Sequence, residues 1–123
     1  MHLNNNKYAV GILTLMGYDF KETENAYYFY SSDGKIISFV PKKSYEVPMA
    51  QAWLENSVRT VYNNWLIGKG ESLVESGLSD IYSEMYEKVD KSSQEYKTAL
   101  ERGLIFKLED EKTFFGAMQE VAA

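Results

Sequence analysis

The sequence predicts an α+β domain: a small antiparallel sheet built on a β-hairpin over about residues 25–40, packed by about five helices. Two runs rich in aromatic and β-branched residues, 25–31 and 35–40, flank Ser32-Asp33-Gly34. Asp-Gly is a strong hairpin signal, because its turn needs positive φ. Elsewhere apolar residues recur at helical spacing, with Gly, Pro and Ser at the boundaries. The length of 123 residues fits a single domain, 1–123.

The elements follow in order. A first helix is expected over 6–16, where Ala9, Ile12, Leu13 and Met16 share a face, Asn4 to Asn6 offer caps and Gly17 ends the run. Gly11 weakens its middle by up to about 1 kcal/mol relative to Ala. In the hairpin, alternation puts Tyr27 and Phe29 on one face and Tyr28 and Tyr30 on the other. The second strand likewise divides into Ile36, Ser38, Val40 and Ile37, Phe39. Neither face is cleanly polar, so something should cover the second one. Pro41 stops the strand. Pro48 opens a second helix to about Ile67, with Met49, Trp53, Leu54, Val58, Tyr62 and Trp65 in a broad stripe. Gln51, Glu55, Arg59 and Asn63 lie opposite, and the two tryptophans suggest the central core helix. The segment 71–75 can be helical. A third helix should begin near Ser79, capped by its hydroxyl, with Ile81, Tyr82, Met85 and Val89 inward. Ser92-Ser93-Gln94-Glu95 reads as a capping box for a fourth helix ending at Gly103. Residues 104–108 suggest a third strand, and Asp110 can cap a last helix with Phe114, Ala117, Met118 and Val121 inward.

Composition narrows the chemistry. There is no cysteine, and the only histidine is His2. No thiol nucleophile and no His-based triad or multi-His metal site can be built within one chain. The net charge of −5 has the wrong sign for generic phosphate binding. Gly68-Lys69-Gly70-Glu71-Ser72 lacks the spacing of a phosphate loop and reads as a helix end and turn. Carboxylates at Glu22, Glu24, Glu109, Asp110 and Glu111 could serve a small acid–base enzyme, but no spacing resembles a calcium loop, and the expectation is no enzyme, no metal and no cofactor. The apolar stretch 9–16 is too short for a membrane helix, and the residues after it make a poor signal cleavage site. A cytoplasmic protein without membrane contact is expected.

Two surface features remain. Tyr, Phe and Trp make 15% of the chain, four of them running together from Tyr27 to Tyr30. Tyr28 and Tyr30 are therefore candidate partner-binding residues, whether the partner is another protein, a second copy in a homodimer, or stacked single-stranded bases. Lys35, Lys42 and Lys43 lie near them, but residues 1–43 carry only one net positive charge, so direct nucleic-acid binding is disfavoured. The second feature is charge placement. Glu71, Glu75, Asp80, Glu84, Glu87 and Asp90 stand against Lys88 alone, which concentrates the whole net charge of −5 in residues 71–90. Asp80, Glu84 and Glu87 fall at i, i+4, i+7 and form one acidic stripe.

In size and in the acidic residues Glu75, Asp80, Glu84 and Glu87, the chain resembles small phage-encoded anti-defence proteins of the anti-CRISPR type. The resemblance implies a protein that binds a nucleic-acid-handling partner and blocks its basic groove. A charge of −5 is modest beside the strongest DNA mimics, so steric blocking through the aromatic hairpin stands equal to mimicry. The expectation is a non-enzymatic protein-binding inhibitor, with a single-stranded nucleic-acid or nucleotide-binding module as the alternative and a carboxylate-dependent enzyme third.

Overall fold

A computed structural model describes residues 5–43 and 48–108. Four helices and one sheet fill them: α1 (Asn5–Leu15), β1 (Asp19–Glu22), β2 (Ala26–Tyr30), β3 (Ile36–Pro41), α2 (Pro48–Gly68), α3 (Leu78–Lys88) and α4 (Gln94–Glu101). The class is α+β. The expected last helix, with Asp110, Phe114, Ala117, Met118 and Val121, lies outside the described residues, as do Glu109 and Glu111. No helix among the described residues is long and apolar enough to cross a membrane.

The sheet is antiparallel in the order β1-β2-β3. Its hairpin turns as expected. Ser31 N–H donates to the Lys35 carbonyl at 2.9 Å, Gly34 N–H returns to the Ser31 carbonyl at 3.0 Å, and Gly34 takes φ +84. The third strand is β1, not residues 104–108. In β1 only Phe20 is apolar, and it faces Phe29 across the ladder while its charged neighbours stay exposed. Residues 104–108 join no ladder, and at 104–105 two successive side chains, Leu104 and Ile105, are both buried. The chain bends there instead.

Centrality belongs to α1 rather than to α2. Residues Tyr8 through Leu13 are all buried, so this helix is apolar around most of its circumference. It packs on α3 through one close approach. A Cβ placed on Gly11 would lie 2.8 Å from Tyr82 Cδ1, inside van der Waals contact. The ring of Tyr82 occupies that space. It stacks on Phe106 with centroids 4.4 Å apart, and Tyr8 meets Phe106 edge-on at 5.6 Å. The Tyr82 hydroxyl donates to the Phe106 carbonyl at 2.5 Å and accepts from the Phe106 N–H at 2.9 Å. One side chain thus satisfies both polar groups of an irregular backbone segment. At the other end of α3, the hydroxyls of Tyr86 and Tyr96 bond at 3.0 Å and tie α3 to α4.

In α2 the buried stripe is narrower than the periodicity implies: Leu54, Val58, Tyr62 and Leu66, each four residues from the last. Trp53 and Met49 lie off that stripe and are 52% and 82% exposed. The polar residues opposite do structural work. Gln51 donates from Nε2 to Asn6 Oδ1 at 3.0 Å and accepts at Oε1 from the Asn5 N–H at 3.1 Å. Asn63 clamps Val74 through two hydrogen bonds of 3.0 Å, and Arg59 donates to the Ser76 carbonyl at 3.0 Å. These contacts hold 71–77 as an extended strap along α2. The segment 71–75 is not helical because its backbone groups meet side chains of α2 instead of one another. Consequently α3 starts at Leu78 with Gly77 as its cap residue and no side-chain cap, so Ser79 does not cap it. For α4 the cap is Ser93, whose hydroxyl accepts from the Tyr96 N–H at 3.2 Å. Ser92 donates to Asp90 instead, so the cap lies one residue later than expected and no capping box forms, because Tyr96 rather than a glutamate stands three residues after Ser93.

Gly11→Ala should lower stability although alanine favours a helix by about 1 kcal/mol. The overpacked Tyr82 ring costs about 1–3 kcal/mol. A net loss in urea unfolding is expected, and a gain would show that α1 and α3 do not approach this closely. Tyr82→Phe should cost about 1–3 kcal/mol by stranding the Phe106 amide and carbonyl.

Candidate partner-binding surfaces

The outer face of the sheet is built by register. Tyr28 pairs with Phe39, and Tyr30 pairs with Ile36 because Ile37 is the extra residue of a bulge beside Tyr30. Ile36 therefore joins the face of Tyr28, Tyr30 and Phe39, not that of Ser38 and Val40 as strict alternation implies. The inner face takes Phe29 and Val40, both fully buried, with Ser38. The outer face stays open among the described residues: Ile36 is 59% and Phe39 40% exposed.

An aromatic ridge runs across it. Tyr28 stacks on Phe39 at 6.0 Å with planes 26° apart, and Phe39 meets Trp53 of α2 at 5.7 Å. Trp53 reaches the ridge because it sits one residue, about 100° of helix, round from buried Leu54. Tyr30 extends the face, with the Lys21 ammonium 5.8 Å from its ring and Asp19 across the ladder. Tyr28 and Tyr30 are thus both on the ridge face and half-buried by their neighbours. Met49, Ile36, Trp53 and Phe39, exposed in that order, are its open part, and the sequence singled out none of them as partner-binding. For Phe39 the signal was present, since it shares a face with Tyr28. For Trp53 it was not, because a helical period assigns a broad stripe and cannot say which edge of it stays wet.

The acidic residues form a second surface. Asp80, Glu84 and Glu87 are all exposed on α3, as their spacing requires. Glu75 is exposed on the strap, where its backbone carbonyl faces Arg59. Glu84 is not a bare charge: the Lys88 ammonium lies 3.2 Å from it. That hydrogen bond and charge, with Glu71 farther off, raise the Lys88 pKa above its ordinary value. Beneath them Tyr62 is 2% exposed, and burial first, then the Glu84 carboxylate, raise its phenol. Glu71 and Lys88 belong to this surface although only their charge, not their position, was legible in sequence. Two aspartates have lowered pKa values from hydroxyl hydrogen bonds: Asp33 through Ser31 and Asp90 through Ser92. Both close turns. No group of three or more metal-ligating side chains occurs among the described residues.

Compared with protein-family models, curated proteins and solved structures, the chain matches none.

Replacing Asp80, Glu84 and Glu87 together by Gln should leave Tm within about 3 °C of the parent, since exposed charges contribute little and the lost Glu84–Lys88 attraction is offset by the lost Asp80–Glu84 repulsion. A larger drop in a thermal scan would mean that these acids are paired inside the fold. Alkaline pH probes the layer beneath. Tyr62 holds its proton more tightly folded than unfolded, so its contribution is complete below its ordinary 10.0 and is lost as pH rises through the folded value. Stability against urea should fall above about pH 10, and less steeply in Tyr62→Phe; equal slopes would place Tyr62 in water.

Proposed function

We propose that this protein is a non-enzymatic binding module that inhibits a nucleic-acid-handling partner by seating against its basic surface. The observation that carries the reading is the exposed ridge Tyr28–Phe39–Trp53, flanked by Ile36 and Met49. Exposed Trp, Tyr, Phe and Met are the residue types enriched at protein interfaces, and the aromatic ones act as anchors. Such a cluster on an open sheet face costs solubility and buries nothing in the isolated domain. The acidic charge of residues 71–90 adds the sign of the partner: it attracts a basic groove and speeds encounter at low ionic strength.

A protein partner fits the ridge better than stacked bases. Tyr28 and Phe39 lie against each other, and Phe39 lies tilted by 47° against Trp53, so the three rings make one continuous apolar patch rather than parallel slots for bases. Single-strand binders leave ring faces free and surround them with cations. Here Lys21 has Asp19 on the same strand face, and the whole chain is acidic.

The test is affinity capture from host cells with the parent and a Phe39→Ala/Trp53→Ala variant, followed by affinity measurement on the captured protein. The variant should fold and bind at least about thirtyfold more weakly. The triple Gln variant should bind more slowly, most markedly at low salt. Undiminished binding by the ridge variant would remove the ridge from the interface. Tight binding of a single-stranded oligonucleotide, weakening steeply with salt, would overturn the reading in favour of base stacking.

A further inference from the structure

A cleft away from the ridge carries chemistry that neither surface uses. It lies between the C-terminal half of α1, β1 and α4, with a volume of about 300 Å³. Phe20, Ala99 and Leu104 supply apolar wall, the last two at 7% and 5% exposure. Thr14 stands on the α1 side, and its buried Oγ1 makes no hydrogen bond. Protein interiors rarely leave such a group unmet. On the rim, Gln94 Nε2 donates to Thr98 Oγ1 at 3.2 Å.

Arg102 closes one end. Its guanidinium carbon lies 4.8 Å from the centroid of Phe20. The ion pairs among the described residues join Lys35 to Asp33, Lys42 to Glu22 and Lys88 to Glu84, and Arg102 enters none of them. A guanidinium resting on a ring keeps its N–H fork free at the edge, in the planar geometry that takes a carboxylate with two hydrogen bonds. Glu95 lines the same cleft seven residues earlier, about 10 Å along α4. It repels an anion from the far end and so sets the ligand's direction.

We infer that this cleft binds a small carboxylic acid with an apolar body, its carboxylate on Arg102 and its body against Phe20, Ala99 and Leu104. The cleft is open to solvent on one side, and its volume of about 300 Å³ lies at the small end of ligand sites, which suits an acid of about ten non-hydrogen atoms. Half-buried Phe20 provides the apolar surface that gains by losing water, Ala99 and Leu104 close the floor behind it, and Arg102 gives the selectivity for charge.

The probe is 3-phenylpropionate, with 3-phenylpropanamide as its uncharged counterpart, titrated into isotopically labelled protein and followed by amide NMR. The acid should bind with a Kd of a few millimolar or tighter, moving resonances at Thr14, Phe20 and 94–104. The amide should bind at least about tenfold more weakly. Arg102→Gln, an exposed substitution that leaves the walls intact, should lose the acid by the same factor while keeping the parent spectrum elsewhere. Arg102→Lys should recover only part, since an ammonium lacks the fork. The inference is overturned if none of these resonances moves at about 10 mM acid, if acid and amide bind alike, or if Arg102→Gln binds as the parent does.

Discussion

The fold depends on one close approach. Gly11 leaves a gap in α1, and the ring of Tyr82 fills it. That contact sets the distance between α1 and α3, and the same ring reaches through to Phe106 with its hydroxyl. A segment with no ladder and no helix is thereby fixed by one side chain. Leu104 and Ile105 enter the core side by side from the bend at this point. From α1 the order spreads outward. The Asn6 side chain donates to the Pro41 carbonyl at 2.8 Å and locks the end of β3, while Gln51 joins Asn5 and Asn6 to α2.

The division of labour on α2 follows from this arrangement. One row, Leu54, Val58, Tyr62 and Leu66, faces the core. A second row of polar residues, Gln51, Arg59 and Asn63, binds the backbone and side chains of neighbouring segments. With both rows engaged, Trp53 and Met49 have no interior left to enter. Trp53 turns to Phe39 at the edge of the sheet, and the ridge arises from residues that the core does not use. The strap 71–77 carries Glu71 and Glu75 along α2, α3 carries Asp80, Glu84 and Glu87, and Asp90 follows in the turn after it, so the charge gathers away from the apolar rows.

Much of this was legible in the sequence, for definite reasons. The hairpin has its own turn chemistry, and the helices 48–68 and 78–88 have strong periodicity, so these needed no tertiary information. The acidic stripe followed from helical spacing alone. What failed were segments whose state is decided by a distant partner. β1 reads as Asp-Phe-Lys-Glu, a polar stretch, and becomes a strand only because β2 offers it an edge. The strap looked helical because Asn63 and Arg59 are invisible to local propensity. Residues 104–108 looked like a strand because the Tyr82 hydroxyl cannot be anticipated from a list of apolar residues. Gly11 looked like a weakness and is a requirement. The ridge was half-legible: Tyr28 and Tyr30 stood out as a run, but the bulge at Ile37 and the outward turn of Trp53 depend on packing.

Phe39 and Trp53 are open to water while Phe29, Tyr62 and Tyr82 are shut away. Hydroxyl-radical footprinting read by mass spectrometry measures this residue by residue. Fast oxidation of Trp53, Phe39 and Met49, with Phe29, Tyr62 and Tyr82 protected, is the predicted pattern. Protection of Trp53 and Phe39 in the isolated protein would contradict it, because the ridge would then already be covered.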